Sequence, residues 1–226
     1  MRILLVDDHE AIRDIYEIFL TSYFNCDVIQ AESVVAAATE ILKNTKNIDI
    51  IVSDYHMPEG NGGVLYTYVK KYLPETPFIL FTSNVGIIDT DIVFKNFFKD
   101  NPYNSVISKP CPADEFAFIV GNIYQESNSC ALKRIYPRKH DRYNMVVDAS
   151  IKFTANEQIK YTKVMNLSNG GMFVRLDDQF PTTNSFIEYG LLSGNLNQPH
   201  GRGIVRWVRD KKVNHLLTGC GVEFIQ

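Results

Sequence analysis

The chain has 226 residues, of which 45% are hydrophobic, and a formal net charge of −3. This size allows two packed cores, and the small negative charge argues against the uniformly basic surface of a nucleic-acid-binding protein. The four cysteines are scattered without a CxxC pair, which argues against a disulfide framework or a zinc site and predicts reduced thiols. Because we find no signal-peptide pattern and no apolar run of membrane-spanning length, we expect a cytoplasmic protein without membrane insertion.

The first half of the chain alternates short apolar runs with amphipathic segments. The apolar runs, which predict strands buried on both faces, cover residues 2–6, 48–53, 78–81 and 105–108, and residues 27–31 are predicted as one further short strand. The amphipathic segments, which predict helices, cover residues 9–23, 33–43, 63–72, 89–99 and 112–125. This β/α alternation predicts a doubly wound α/β fold, with a five-stranded parallel sheet of the flavodoxin-like type.

Acidic, hydroxyl and basic side chains follow four of these predicted strands. They are Asp7, Asp8, Asp54, Thr82 and Lys109. The carboxyl ends of parallel strands converge on one crevice, so we expect these side chains to meet there. Three clustered carboxylates need a cation, and their oxygen ligands suit Mg²⁺. A carboxylate can also accept a phosphoryl group, whose oxygens Lys109 and Thr82 would bind.

Any one of these residues alone would be an ordinary strand-end or surface residue, but their order along the chain is specific. The order is Asp7-Asp8, Asp54-x-x-Met57-Pro58, Thr82 and Lys109-Pro110. Residues 1–125 therefore resemble a response-regulator receiver domain. The resemblance implies that Asp54 is the phosphoacceptor. It also implies that Asp8 binds Mg²⁺ directly and Asp7 mainly through water, with Asp54 and the backbone carbonyl of His56 as further ligands.

One position departs from the receiver pattern. Receivers usually carry an aromatic residue three positions before the lysine, where it acts as a switch together with the threonine, and here that position is Val106. We expect phosphorylation to be retained without the usual relay to the output face. Phe94, Phe97 and Phe98 fall in the predicted fourth helix, where core packing is the default and an interface, such as that of a homodimer, is the alternative.

The composition changes after the last predicted helix. Residues 126–137 are polar at their start and are predicted to form a linker. From residue 138 to 226 the chain shows short segments of period-two alternation, such as residues 159–164. Turn clusters such as Asn169-Gly-Gly and Ser193-Gly-Asn separate these segments. This pattern predicts a small antiparallel β-barrel.

Two short motifs in this second half indicate a ligand. Arg138 and Arg142 are separated by three residues, and paired guanidinium groups can clamp a phosphate or a guanine edge. The segment Asn166-x-Ser168-x-x-Gly171 is a polar turn that can bring backbone N–H groups close to a ligand. Together they resemble the two motifs of PilZ domains, receptors for cyclic di-GMP. The resemblance implies that the arginines hold the nucleotide while Asn166, Ser168 and Gly171 line its other side.

Some residues of this region have ordinary alternatives. The arginines could belong to a solvated basic linker, which is what most charge clusters are. His140 lies between them and is expected to be solvated, because no second ligand stands at metal-binding spacing. Trp207 could stack on a guanine base, although strand aromatics more often belong to the core.

The sequence as a whole predicts a bacterial two-component response regulator. Its expected partners are a histidine kinase or phosphotransfer protein, cyclic di-GMP and a downstream protein of unknown identity. We expect no enzymatic activity beyond acceptance and hydrolysis of a phosphoryl group. One alternative is a protein–protein adaptor whose barrel has lost the nucleotide. The other is a DNA-binding transcription factor, which the absence of a helix-turn-helix pattern disfavours.

Overall fold

The computed structural model of the chain describes residues 1–43, 47–128, 142–154, 158–192, 200–211 and 218–225, with only the backbone described for 142–145. The chain divides into two compact units, Met1–Ile135 and Tyr136–Gln226. Within the described ranges no helix is both long and apolar enough to cross a membrane. The predicted linker has its first three residues in a helix, and residues 129–137 lie outside the description.

The first unit alternates strands and helices, as predicted. Its strands are β1 (Arg2–Val6), β2 (Asp27–Ala31), β3 (Ile50–Ser53), β4 (His56–Met57), β5 (Gly60–Asn61), β6 (Phe78–Thr82) and β7 (Ser105–Ser108). Its helices are α1 (Glu10–Tyr23), α2 (Val34–Lys43), α3 (Gly62–Tyr72), α4 (Ile87–Thr90), a 3₁₀ turn (Ile92–Phe94), α5 (Phe97–Asp100) and α6 (Ala113–Asn128). The last helix runs three residues beyond its predicted end.

Five of these strands form one parallel sheet in the order β2-β1-β3-β6-β7. The central strands β3 and β6 are buried along their whole length because helices cover both faces of the sheet, which is why they read as continuous apolar runs. The strand order reverses direction between β1 and β3. The predicted flavodoxin-like fold is therefore confirmed, and its ligand crevice belongs at the carboxyl ends of these two strands.

The buried face of α1 does not coincide with its apolar residues. Ile15 is 50% exposed, whereas Arg13 and Leu20 are buried. Arg13 reaches the interior because its guanidinium donates a hydrogen bond to the backbone carbonyl of Asp7 at 2.7 Å. A satisfied guanidinium on a long apolar stem can replace an aliphatic residue on a helix face. The periodicity of apolar residues alone did not reveal this.

The predicted fourth helix is not continuous. In place of one helix over residues 89–99, the chain forms α4, the 3₁₀ turn and α5, which are separated by Asp91 and by Lys95–Asn96. Asp91 has an extended backbone, and its Oδ1 accepts a hydrogen bond from Val93 N–H at 3.0 Å. A carboxylate that caps a new turn competes with continuation of the preceding helix. Phe94 and Phe97 are nonetheless buried, which agrees with the core-packing interpretation, and Phe98 is half-buried.

The second unit is a closed antiparallel barrel of six strands, which confirms the predicted architecture. Its strands are β8 (Arg142–Phe153), β9 (Ile159–Ser168), β10 (Gly171–Arg175), β11 (Phe186–Leu191), β12 (His200–Arg209) and β13 (Gly219–Ile225). They pair in the order β8-β9-β10-β13-β12-β11, and β11 pairs back with β8 to close the ring. Alternate residues such as Val147, Ala149 and Ile151 on β8 are buried inside. The predicted turn at residues 193–195 lies outside the described residues.

We predict that Phe97→Ala lowers the free energy of unfolding of the first unit by about 3–5 kcal/mol. The Phe97 ring is 1% exposed and contacts the rings of Tyr66, Phe78 and Phe94, so its removal leaves a cavity among them. Urea unfolding followed by helical circular dichroism would measure the loss. The only tryptophan, Trp207, lies in the barrel, so its fluorescence gives an internal control that should not shift. The half-buried Phe98→Ala is the matched variant and should cost less.

Candidate functional site

The residues predicted from strand ends meet at one edge of the first unit. Asp7 follows β1, Asp54 follows β3 and Lys109 follows β7. The backbone fixes their relative positions, because Asp54 N–H donates to the carbonyl of Val6 at 2.9 Å and Lys109 N–H donates to the carbonyl of Thr82 at 2.9 Å. These bonds continue the parallel ladders past the strand ends. The crevice is therefore built on the sheet itself rather than on a loose loop.

The Lys109 ammonium bridges two of the carboxylates. Its Nζ lies 2.6 Å from Asp7 Oδ2 and 3.1 Å from Asp54 Oδ2. All three side chains are largely withdrawn from water, with exposed fractions of 16% for Lys109, 2% for Asp7 and 12% for Asp54. At such burial each carboxylate needs a counter-charge. Lys109 supplies it to both and holds Asp54 beside Asp7.

The wall behind Lys109 is aromatic. The Lys109 Nζ lies 5.0 Å from the centroid of the Phe81 ring. The Tyr16 ring packs edge to face with the Phe81 ring, with their centroids 4.9 Å apart. Tyr16 donates its hydroxyl to the backbone carbonyl of Cys111 at 3.1 Å. Burial raises the pKa of Tyr16 to about 12, so the phenol stays neutral and adds no charge to the crevice. The cation–π contact further restrains the lysine.

Two residues at the start of α1 belong to the site although sequence reasoning missed them. Arg13 fixes the carbonyl of Asp7, and its Nε donates to Gln30 Oε1 at 3.0 Å. His9 donates its backbone N–H to Asp7 Oδ1 at 2.9 Å, and its ring Nδ1 lies 2.9 Å from Asp8 Oδ1. The adjacency of His9 to the acid pair was a usable signal. The role of Arg13 was hidden because a basic residue in a helix ordinarily faces solvent.

Asp54 is held from the side opposite Lys109 by the next residue. The backbone N–H of Tyr55 donates to Asp54 Oδ1 at 2.6 Å, which leaves Oδ2 toward the lysine. Gly62 closes the loop, because its N–H donates to the carbonyl of Tyr55 at 2.8 Å. A Cβ at Gly62 would lie 2.7 Å from the carbonyl oxygen of Asp54, so only glycine permits this approach. His56 follows in β4, paired with Asn61.

Thr82 ends β6 with its side chain fully buried, and its Oγ1 accepts a hydrogen bond from Asn84 N–H at 3.2 Å. Val106, on the neighbouring strand β7, pairs with Leu80 and is also fully buried. An aliphatic side chain packed in the sheet has neither a ring nor a hydroxyl to swing toward the threonine. The expected departure from the usual switch therefore has a structural basis.

The donor set of the crevice fits a hard divalent cation. Ligand atoms of Asp7, Asp8 and His9 lie within 4.8 Å of one another, and Asp54 is joined to Asp7 through Lys109. Three carboxylates offer the oxygen ligands that Mg²⁺ prefers, with Asp8 the most exposed of them and so the most open to a hydrated ion. His9 is a softer donor and interacts with both aspartates, which suits a residue that orients them.

In the barrel, strand register brings the two sequence motifs together. Arg142 on β8 pairs with Ser168 on β9, Ser168 pairs with Gly171 on β10, and Gly171 pairs with Glu223 on β13. One row across three strands thus contains a residue of the arginine motif and two of the polar-turn motif. The side chain of Arg142 and the whole of Arg138 lie outside the described residues, as does His140.

The polar turn has a defined internal geometry. Ser168 Oγ accepts from Gly170 N–H at 3.3 Å and lies 3.0 Å from the carbonyl oxygen of Gly171, to which it donates. A side chain at Gly171 would overlap the carbonyl of Val222 on β13, so glycine is required there. Asn166, two residues before Ser168, has a buried Oδ1 with no hydrogen-bond partner among the described residues. Such an acceptor is costly unless a ligand or water donates to it.

Trp207 is half-buried and packs against another aromatic ring of the second unit. Its ring stacks on that of Phe173 at 5.4 Å, and the guanidinium carbon of Arg209 lies 5.3 Å from its centroid. The two rings meet above Gly221, where any side chain would overlap the indole. Phe173 occupies one face of the indole, and because the ring is only half-buried, both the core interpretation and guanine stacking stay predictions.

Family profiles match both units of the chain. A family profile described as a response regulator receiver domain matches residues 3–120, and one described as a PilZ domain matches residues 136–226. A chemotaxis protein CheY homolog from Campylobacter jejuni is 36% identical over 89 residues, which cover 38% of this chain and 67% of that protein. The transcription factor prr1 of Schizosaccharomyces pombe is 33% identical over 107 residues, which cover 43% of this chain but only 19% of that protein.

Solved structures similar to the chain are receiver domains. One is a response regulator receiver domain protein from Clostridium thermocellum, with 22% identity and a TM-score of 0.48, covering 55% of this chain and 94% of that one. Another is a CheY-like receiver domain protein from Methanospirillum hungatei, with 21% identity and a TM-score of 0.48, covering 56% and 94%.

We predict that Lys109→Met lowers the free energy of unfolding of the first unit by about 2–4 kcal/mol. The variant keeps the length of the side chain but leaves Asp7 and Asp54 as neighbouring buried carboxylates without their shared cation. Urea unfolding followed by helical circular dichroism in metal-free buffer measures the change. Lys99→Met removes an exposed lysine of α5 and should have little effect. Equal midpoints for both variants would contradict the bridging role of Lys109.

Proposed function

Because the chain belongs to the response regulator receiver family and continues into a PilZ domain, we propose that Asp54 is its phosphoacceptor and that its barrel binds cyclic di-GMP. The observation that carries the first part is the double contact of Lys109 with Asp7 and Asp54. It assembles a nucleophilic carboxylate, a cation and further acidic ligands in one crevice. The two matched regions leave no part of this chain for a separate enzymatic domain.

In the proposed phosphotransfer, Asp54 Oδ2 attacks the phosphorus of a phosphodonor. A bond forms between Oδ2 and phosphorus while the bond from phosphorus to the leaving group breaks, and the leaving group departs with the bonding electrons. The product is an acyl phosphate on Asp54. Water later attacks the phosphorus, which releases inorganic phosphate and restores the carboxylate. Oδ2 is the available oxygen because Oδ1 already accepts from Tyr55 N–H.

The surrounding residues stabilise the transferred charge. The Lys109 ammonium, 3.1 Å from Asp54 Oδ2, would follow the phosphoryl oxygens, and the Thr82 hydroxyl would donate to one of them. Asp7, Asp8, Asp54 and the carbonyl of His56 would hold Mg²⁺, which supplies neutralising charge for the phosphoryl group. Arg13 and His9 would keep Asp7 and Asp8 oriented. The phosphodonor would be a histidine kinase or a phosphotransfer protein.

The barrel supports a nucleotide receptor through its row of motif residues. Arg142 stands opposite Ser168, and the unpartnered Oδ1 of Asn166 lies two residues away on the same strand. A guanine base carries N–H donors that would satisfy this oxygen. The arginines would bind the phosphates and a guanine edge in the manner of paired guanidinium groups. Ser168 would form the other wall of the site together with Gly171, where the backbone lies close to Val222 because glycine has no side chain.

The adaptor alternative requires a barrel that needs no ligand, and the buried orphan oxygen of Asn166 disfavours it. The DNA-binding alternative requires a recognition helix, and the described residues of the second unit are strands and turns without one. We propose that the downstream target is a protein that responds to the nucleotide-bound barrel. We further propose that residues 1–125 form the receiver, residues 126–137 the linker and residues 138–226 the barrel. We propose that the protein acts in the cytoplasm of a bacterium.

We predict that acetyl phosphate labels Asp54 in the presence of Mg²⁺ and does so poorly after the metal is removed by chelation. The carboxylates repel the incoming phosphoryl group unless a cation neutralises them. Intact-mass spectrometry and peptide mapping would locate the label. Asp54→Asn should abolish labelling, whereas Asp49→Asn alters a half-buried acid ahead of the same strand, one that accepts from Arg2 N–H, and should not. Label that persists in Asp54→Asn would contradict the assignment.

We predict that Arg142→Ala weakens cyclic di-GMP binding about thirtyfold to a thousandfold. This range corresponds to about 2–4 kcal/mol for loss of a charge-assisted contact to a partly desolvated phosphate. Isothermal calorimetry on the full chain measures both affinities. Arg202→Ala is the matched control, because Arg202 is an exposed barrel arginine paired with Glu188. Equal affinities for wild type and Arg142→Ala, or no wild-type binding at millimolar ligand, would contradict the receptor proposal.

A further inference from the structure

Tyr55 is an unassigned residue that touches both the phosphoacceptor and the broken fourth-helix region. Its backbone N–H donates to Asp54 Oδ1 at 2.6 Å. Its hydroxyl donates to Asp91 Oδ2 at 2.9 Å, 36 residues away in sequence. The ring between these two ends is 9% exposed and lies 6.1 Å from the centroid of Phe94. One residue thus contacts Asp54 through its backbone and a distant segment through its side chain.

Asp91 is the point at which that segment changes conformation. Its N–H ends α4 by donating to the carbonyl of Ile87 at 2.9 Å, and its Oδ1 starts the 3₁₀ turn by accepting from Val93 N–H at 3.0 Å. Its other oxygen is occupied by Tyr55. A single carboxylate therefore determines both the break in the helix and its attachment to the phosphoacceptor loop. The turn it starts contains Phe94, which is buried against Tyr66.

The amino-terminal end of α3 restrains the same hydroxyl. Asn61 caps α3 by accepting from Val64 N–H at 3.0 Å, and its Nδ2 lies 3.4 Å from the Tyr55 hydroxyl. A side chain at Gly63 would lie 2.8 Å from Asp91 Oδ2, so the chain leaves no spare room there. Burial raises the pKa of the Tyr55 phenol, and the hydrogen bond to Asp91 raises it further, so Tyr55 remains a donor at neutral pH. Tyr55 is therefore held at its backbone by Asp54 and at its hydroxyl by Asp91 and Asn61.

We propose that Tyr55 transmits the phosphorylation state of Asp54 to residues 87–100 through Asp91, in place of the threonine–aromatic switch that Val106 cannot supply. This inference rests on the proposed function, because it requires modification at Asp54. An acyl phosphate on Oδ2 removes the negative charge that Oδ1 shares in the free carboxylate. The Tyr55 N–H···Oδ1 bond then loses its charge assistance and weakens. The backbone at Tyr55 relaxes, and the buried ring carries that shift to Asp91.

The geometry favours a path through Tyr55 and Asp91 over a path through Thr82 and Val106. Thr82 and Val106 end or lie within adjacent strands of the sheet, where both side chains are fully buried and Val106 has no polar atom. Residues 87–100, by contrast, consist of three short helical pieces, and short pieces rearrange at lower cost than one long helix. A segment of short pieces that the Tyr55–Asp91 hydrogen bond joins to the loop of Asp54 is the kind of element that a local charge change can bias.

The test is hydrogen–deuterium exchange of the full chain with and without beryllofluoride and Mg²⁺, in wild type and in Tyr55→Phe. The variant removes only the hydroxyl. We expect beryllofluoride to change the exchange rates of residues 87–100 by roughly threefold or more in wild type, and by much less in Tyr55→Phe. Labelling of Asp54 by acetyl phosphate is measured on each protein alongside, so that loss of phosphorylation is distinguished from loss of the response.

Two further variants sharpen the outcome. Asp91→Asn keeps an oxygen for Val93 N–H but presents an amide that is a poorer partner for the Tyr55 hydroxyl, so it should reduce the response in the same way. Tyr68→Phe removes an exposed hydroxyl from α3, for which the described residues provide no hydrogen bond, and should respond as wild type does. A full response of residues 87–100 in Tyr55→Phe, or no response in wild type whose Asp54 is labelled, overturns the relay alone. Absence of labelling at Asp54 overturns the proposed function as well.

Discussion

The contact of Lys109 with Asp7 and Asp54 is the constraint on which the first unit is built. Two carboxylates that are 2% and 12% exposed can remain charged side by side only if a cation lies between them. That cation reaches them because β7 lies two strands from β3 in a parallel sheet and ends at the same edge. The aromatic wall of Phe81 and Tyr16 then confines the lysine. The order of the strands, the charged residues at their ends and the burial of the crevice therefore depend on one another.

The barrel also brings residues that are distant in sequence together, but through strand register rather than through strand ends. In the parallel sheet, residues far apart in sequence meet because strands end together. In the antiparallel barrel, Arg142, Ser168 and Gly171 meet because register aligns them in one row across neighbouring strands. Glycine is required where that row approaches β13, since a side chain at Gly171 would overlap Val222. The buried Oδ1 of Asn166, which has no hydrogen-bond partner within the part of the chain that the structure describes, lies beside this row.

The proposed relay would replace the usual aromatic switch of a receiver. Val106 fills the sheet core, which leaves Thr82 without a mobile partner on the adjacent strand. The aromatic residue in contact with the proposed phosphoacceptor is Tyr55, whose hydroxyl reaches the carboxylate that interrupts the fourth helix. Asp91 serves both as the cap of the 3₁₀ turn and as the partner of Tyr55.

The sequence by itself determined the strands of the sheet, the order of the strand-end residues and the two-unit architecture. Apolar runs bounded by polar residues are distinctive, and a parallel sheet fixes where their ends must meet. Only the tertiary structure decided that Arg13 rather than Ile15 faces inward, that Asp91 breaks the fourth helix, and that Tyr55 bonds to it. Periodicity measures the average polarity of a helix face. It cannot reveal the specific hydrogen-bond partner on which each of these three features depends, which is Asp7 for Arg13, Val93 N–H for the break at Asp91, and Asp91 for Tyr55.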